Sequence, residues 1–382
     1  MRVALAVMTV LATTAGAGPR KAVPAARFEG TEALAPFRKA LEAQQAGKAR
    51  RPLRISYIGD SLTADDQITH ALRGKLVALV GDGGPGFVFA VEPHPYNQHR
   101  VLTRGVRGTW RTFGVSTTPA SDRLLGLGGS AETDSGGTLR FTTKTAVRAV
   151  DVHYLAQPRG GSFEIVAGGK SVGTVSTTAA SKLAAFAPFA IPDGATKLEL
   201  RAKGRVRLFG LSLEAERGAV VDNLGIVNAT AKQHATKNRA EHFTKQLVHR
   251  APDLVVVMLG TNEAEWLPPK GTALEEHEKL VGEVLASVRA SGSACLVVSP
   301  LDQIDWRAED MPPRASVPAM VDAQRRAAIA NGCAFWDTYA WMGGKGASRT
   351  WHTQGLVTKD YQHPTTAGAT RIATALFAGL VR

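Results

Sequence analysis

Apolar and polar positions fall into three textures along the chain. Leu53–Ile58 is an apolar run of strand length that stops at Gly59. Residues 68–80 then place apolar side chains at the spacing of an amphipathic helix, and a Gly-rich loop follows at 81–87. From about 95 to 218 the texture changes to short alternating segments: 137–142, 147–154, 162–167, 197–202 and 205–213. Gly, Pro and Asp turns separate them, and this period of two predicts an antiparallel β-sandwich. From 219 onward, apolar runs at 219–227, 253–259, 295–299 and 333–336 alternate with helical patterns at about 232–249, 273–290, 317–330 and 367–380.

Strands that are apolar on both faces and alternate with helices predict a parallel sheet covered on each side. The expected fold is α/β: a flavodoxin-like three-layer αβα sandwich made of residues 50–92 and 219–382, with residues 95–218 inserted as a β-sandwich. Residues 18–49 read as a loose leader followed by a helix at 31–46, where Leu34, Phe37 and Leu41 share a face. Residues 1–17 combine Arg2, a short apolar run and Ala15-Gly16-Ala17. That pattern predicts a secretory signal peptide, hence an exported, periplasmic or secreted protein. The run is too short to span a bilayer, and no later segment is long enough either.

Composition adds limits. Of 382 residues, 44% are hydrophobic and 21% charged, which excludes disordered and fibrous classes. The formal net charge is +13. For a basic exported protein, attraction to anionic cell-wall polymers, nucleic acid or membrane surface is one reading, and a solvated basic surface is the expected one. The basic residues are scattered, however, without the aromatic interleaving of a nucleic-acid platform, so no nucleic-acid partner is expected. The two cysteines, Cys295 and Cys333, each lie near the start of an apolar run. If those runs are neighbouring strands, a disulfide is open to them in an oxidising compartment, and two buried free thiols are the other reading. Their spacing suits no metal.

The chemistry starts at Gly59-Asp60-Ser61-Leu62. In an open α/β sheet the site lies beyond the carboxyl ends of the strands, and Ser61 stands just past one. A serine hydroxyl needs a base, an orienter for the base and oxyanion donors. His363 and Asp360, three apart in D-Y-Q-H-P, supply a general base and its partner. Asn262, in Gly260-Thr-Asn-Glu263 after the most apolar run, offers an amide N–H to an oxyanion. Asp60 is expected to fix the turn by accepting backbone N–H bonds.

The four blocks G-D-S-L, Gly225-Ile-Val-Asn-Ala-Thr230, G-T-N-E and D-x-x-H-P, in that order, resemble the SGNH/GDSL hydrolase family. The resemblance covers the α/β part and implies roles. Ser61 would be the nucleophile and an oxyanion donor, Asn262 a second donor, His363 the base and Asp360 its partner. Two positions depart from the pattern. The second block of the family ends in Gly, where this chain has Asn228, which would give the remaining oxyanion N–H. The third block usually ends in Asp rather than Glu263, an acid outside the chemical groups. A β-rich insertion lies between the first two blocks and a Gly-rich loop precedes it. Both are similar to a subset that includes bacterial peptidoglycan O-acetylesterases with an inserted carbohydrate-module-like domain.

The expected function is a serine esterase acting on small acyl groups, acetyl foremost, of a polysaccharide such as O-acetylated peptidoglycan. No cofactor or metal is called for. An O-acetyltransferase would use the same triad, and a lipase or thioesterase would need an apolar acyl pocket that the sequence does not display. A glycan-binding protein with a retired catalytic domain is the rival from another class. His94, His99, His234, His242 and His249 lack metal-like partners in the sequence, and His70 is expected on a helix surface. Trp266 and Trp306 read as loop packing, with lining of a sugar site as the alternative.

Overall fold

The structure is a computed structural model that describes residues 23–382. The expected signal segment, 1–17, lies outside the described residues. In chain order the strands are β1 (Phe28–Glu29), β2 (Leu53–Gly59), β3 (Gly86–Val88), β4 (Leu102–Gly108), β5 (Arg111–Gly114), β6 (Gly129–Thr133), β7 (Gly136–Ala156) and β8 (Ser162–Ala167). They continue as β9 (Lys170–Ser176), β10 (Leu183–Lys203), β11 (Val206–Glu214), β12 (Ala219–Gly225), β13 (Leu254–Met258), β14 (Ala294–Val298) and β15 (Ala334–Trp336).

Six of them form one sheet in the order β1-β15-β14-β13-β2-β12. Five strands run parallel, and β1 pairs antiparallel on the edge. The three layers follow from side-chain alternation. Leu254, Val256 and Met258 of β13 join a core with Phe37, Leu41, Leu72 and Ile372 from helices on one face. Val255 and Val257 join a second core with Phe243, Val281, Leu285 and Val321 from helices on the other. An apolar run buried on both faces is what that placement demands.

The remaining nine strands form an antiparallel sheet in the order β5-β6-β11-β7-β10-β8-β9, with β3 on β11 and β4 on β7. The strands β7 and β10 are each 21 residues long. Leu139 and Phe141 near the start of β7 share one core with Val150 and Val152 near its end. The sheet therefore folds over on itself around a single apolar interior, which is a sandwich.

Local differences from the sequence reading have physical causes. The segment read as a loose leader supplies β1, where Phe28 stacks edge-on against Trp336. The Gly-rich loop yields β3, so the antiparallel sheet starts at Gly86 rather than at 95. The helix expected at 232–249 is two, Ala231–Lys237 and Ala240–Arg250. Asn238 between them is extended, and its side chain bonds the backbone of Leu125 and Gly126 from the insert. Cys295 on β14 and Cys333 beside β15 form a disulfide, with Cα atoms 4.7 Å apart. The neighbouring strands bring the two residues together.

Candidate active site

Three adjacent strands, β12, β2 and β13, end side by side: Gly59 pairs with Gly225 on one flank and Met258 on the other. The short helix Ser61–Ala64 crosses directly over these ends. A Cβ at Gly59 would fall 2.1 Å from Thr63 Oγ1, and one at Gly225 would fall 2.3 Å from Ala64 N. Both glycines are thus fixed by the close approach of this helix. Asp60 caps the helix by accepting the Leu62 N–H at 3.0 Å.

Ser61 leaves this turn with its Oγ 2.8 Å from His363 Nε2. His363 Nδ1 lies 2.8 Å from Asp360 Oδ2. The carboxylate is held in turn: Asp360 Oδ1 accepts from Thr358 Oγ1 and from the backbone N–H of Gln362 and His363. Burial raises the Asp360 pKa, but the bonds from His363, Thr358 and the two N–H groups outweigh it and hold the carboxyl far below its ordinary range. The bond to Asp360 raises the His363 pKa against the opposing effect of burial. The pair therefore favours an ionised Asp360 beside an imidazole able to take a proton.

The second block ends in a left-handed residue. Asn228 has φ 62°, a backbone conformation that glycine adopts freely and that asparagine tolerates better than most residues. The amide Nδ2 of Asn262 donates to Ala229 O at 2.9 Å, its single bond among the described residues. Its second N–H is uncommitted there. Ser61, Asn228, Asn262, Asp360 and His363, the five site residues read from the sequence, all line one cleft of about 520 Å³. The cleft also presents Asp65, Tyr96, Gln98, Glu265, Trp306, Arg307 and Gln362.

Glu263 is the residue that sequence reasoning discounted. It is 1% exposed, and its Oε1 accepts the Ala231 N–H at 2.8 Å. Burial pushes its carboxyl up to about 7. Neighbouring Asn262 and Glu263 thus hold the chain just after Asn228, at Ala229 and Ala231. The departure from Asp in this block was the available signal.

A further grouping also escaped the sequence. Asp151 and His153 on β7 meet His249 of the Ala240–Arg250 helix, with possible ligand atoms within 4.8 Å of one another. His249 Nε2 lies 2.6 Å from Asp151 Oδ2, and His153 Nδ1 lies 2.7 Å from Gln246 Oε1. These residues tie the insert to the α/β part and share none of the cleft lining. The sequence separations involved hide the grouping from any spacing argument.

Comparison with known proteins bears on the architecture just described. Residues 194–371 match the model of the GDSL-like lipase/acylhydrolase family. The matched stretch holds Asn228, Asn262, Asp360 and His363, and Ser61 lies outside it. The match supports a carboxylic ester hydrolase. A solved peptidoglycan O-acetylesterase is 24% identical, with a TM-score of 0.75 over 89% of this chain and 94% of that one. The shared fold thus spans both the α/β part and the insert. An acetyl xylan esterase is 19% identical over 42% of this chain and 79% of its own, with a TM-score of 0.32. A salicylyl-acyltransferase is 13% identical over 74% and 94%, also with a TM-score of 0.32. The last two bear on nothing further. No curated protein matches the chain by sequence.

Proposed function

We propose that this hydrolase is an exported serine esterase that removes small acyl groups, acetyl foremost, from a polysaccharide. O-acetylated peptidoglycan is the first substrate to test. The observation that carries the reading is the relay Ser61–His363–Asp360, with 2.8 Å at each link. The peptidoglycan O-acetylesterase whose fold the chain shares guides the choice of polymer. Export is supported by the disulfide, which suits an oxidising compartment.

In this mechanism His363 Nε2 takes the proton of Ser61 Oγ as the oxygen attacks the ester carbonyl. Asp360 holds the imidazole through Nδ1 and stabilises the imidazolium that forms. The carbonyl oxygen becomes an oxyanion, which the N–H groups of Ser61 and Asn228 and the free amide N–H of Asn262 stabilise. The tetrahedral species collapses, His363 protonates the sugar oxygen, and the acyl group stays on Ser61. Water then attacks the acyl-enzyme with His363 again as base, and acid is released. The His363 side chain is 38% exposed, so water reaches the base. That exposure favours hydrolysis over transfer to a second sugar.

The test is acetate release from O-acetylated polysaccharides by the mature protein and by Ser61→Ala. Release is expected to disappear in the variant. With the His363 pKa raised, kcat/KM should rise with pH through a midpoint above 6.5, because the base works only when neutral. No release from any polymer or from a small activated acetate ester would overturn the reading.

A further inference from the structure

Three aromatic side chains stand well exposed among the described residues: Tyr96 at 72%, Trp266 at 59% and Trp306 at 42%. The other Phe, Tyr and Trp rings there are buried or half-buried. Water-exposed rings scattered by chance would spread over the whole surface of a chain this long. Two of these three line one cleft, and the third borders it in sequence. Tyr96 and Trp306 line the cleft of Ser61, and Trp266 directly follows Glu265, which lines it too.

The Trp306 and Tyr96 rings are braced by neighbours. The Arg307 guanidinium lies 5.0 Å from the Trp306 ring centre. Arg307 bonds Glu265 Oε2 at 3.1 Å, and Gln362 Nε2 bonds Glu265 Oε1 at 3.3 Å. Across the sequence, the Tyr96 ring lies 5.3 Å from that of His94, and the Tyr96 backbone N–H donates to His94 Nδ1. Charged and polar groups make up most of the cleft lining around Tyr96 and Trp306, which is not the continuous apolar patch that a fatty acyl chain would need.

Charge points the same way. Asp65, Glu265 and Asp360 share the cleft lining with Arg307 and His363, with Glu265 paired to Arg307 and Asp360 to His363. The chain's excess of +13 is therefore not focused on the site. A ligand for this rim must present flat apolar faces edged with hydrogen-bonding groups, at intervals, without depending on its charge. The C–H faces and hydroxyl edges of pyranose rings in a chain fit that description.

We propose that Tyr96, Trp266 and Trp306 are stacking platforms for successive sugar rings of a glycan chain. Recognition runs through sugar faces rather than polymer charge. The inference rests on the esterase reading of the same cleft, which it deepens by making the substrate a chain of sugars.

Single changes Tyr96→Ala, Trp266→Ala and Trp306→Ala should be compared on 4-nitrophenyl acetate and on O-acetylated peptidoglycan and xylan. The ratio of polymer to small-ester kcat/KM is expected to fall about tenfold for Trp306→Ala, the effect of losing one good contact. Raising ionic strength from about 0.05 to about 0.5 M should leave the polymer KM within about twofold, since screening acts on charge alone. An unchanged ratio in all three variants would overturn the proposal, as would a KM that climbs steeply with salt. Binding of the same glycans to Ser61→Ala by calorimetry separates the two readings. Binding that weakens on adding Trp306→Ala supports the platforms even where esterase activity fails. Absence of binding in a protein whose wild type cleaves the small ester removes the platforms and leaves the esterase.

Discussion

The α/β part and the inserted sheet are built from opposite logics. In the first, strands such as β13 are apolar on both faces, and side chains alternate between two cores. In the second, the alternating strands wrap one core. In the first, all five candidate catalytic and oxyanion residues lie where strands stop or in the loop that faces those ends. The insert contributes none of the five. It reaches the site through loops instead: Ser116 Oγ donates to Val227 O beside Asn228, and Asn97 Nδ2 donates to Gly225 O. The difference teaches that the insert is more than a module hung on the edge. Its loops brace the turn on which the proposed oxyanion donor Asn228 sits.

The largest expected effect tests whether the two parts are one folding unit. Arg250 is fully buried between them, bonded to Glu214 at the end of β11 and Asp222 on β12. Burial alone would depress its pKa, and the two carboxylates more than reverse that. Arg250→Ala leaves the buried Asp222 without a charged partner, whereas Glu214 keeps Arg54. It should destabilise the protein by about 3–5 kcal/mol, read by thermal or denaturant unfolding. Separate unfolding of one part with the other intact would break the comparison.

Next in size is Asn262→Ala, which removes an amide donor from the α/β side. It should lower kcat by about 10²–10³ with a small change in KM, measured on a small activated ester. A KM effect alone would mean that Asn262 only holds Ala229. The smallest effect sharpens the role of the insert. Ser116→Ala deletes one hydrogen bond to the Asn228 turn, of net worth about 1 kcal/mol. It should lower kcat by less than about tenfold and leave the unfolding midpoint nearly fixed.

Legibility followed the same division. The β13 run and the helix at Gln67–Val80 were readable because one periodicity decides each of them. The fold of the insert was readable from alternation, but β7 and β10 are continuous where the sequence shows separate segments. Turn residues inside them, such as Asp193 and Gly194, mark irregular pairing rather than strand ends. The break at Asn238 was not readable, because its cause is the backbone of Leu125 and Gly126, more than 100 positions away. Ser61, His363, Asp360, Asn228 and Asn262 were readable as short blocks. Their meeting in one cleft depends on the strand order β12-β2-β13, which no local pattern states. Glu263 was passed over because its burial and its bond to Ala231 are tertiary facts.

The central claim is that Ser61 carries the acyl group between two half-reactions. The most direct measurement mixes the mature protein with a small activated acetate ester, quenches in acid within the first turnovers, and maps peptides by mass spectrometry. The account predicts acetyl on the peptide containing Ser61, and none on that peptide in Ser61→Ala. Undiminished turnover in Ser61→Ala, or acetyl found on another side chain with Ser61 unmodified, would contradict it.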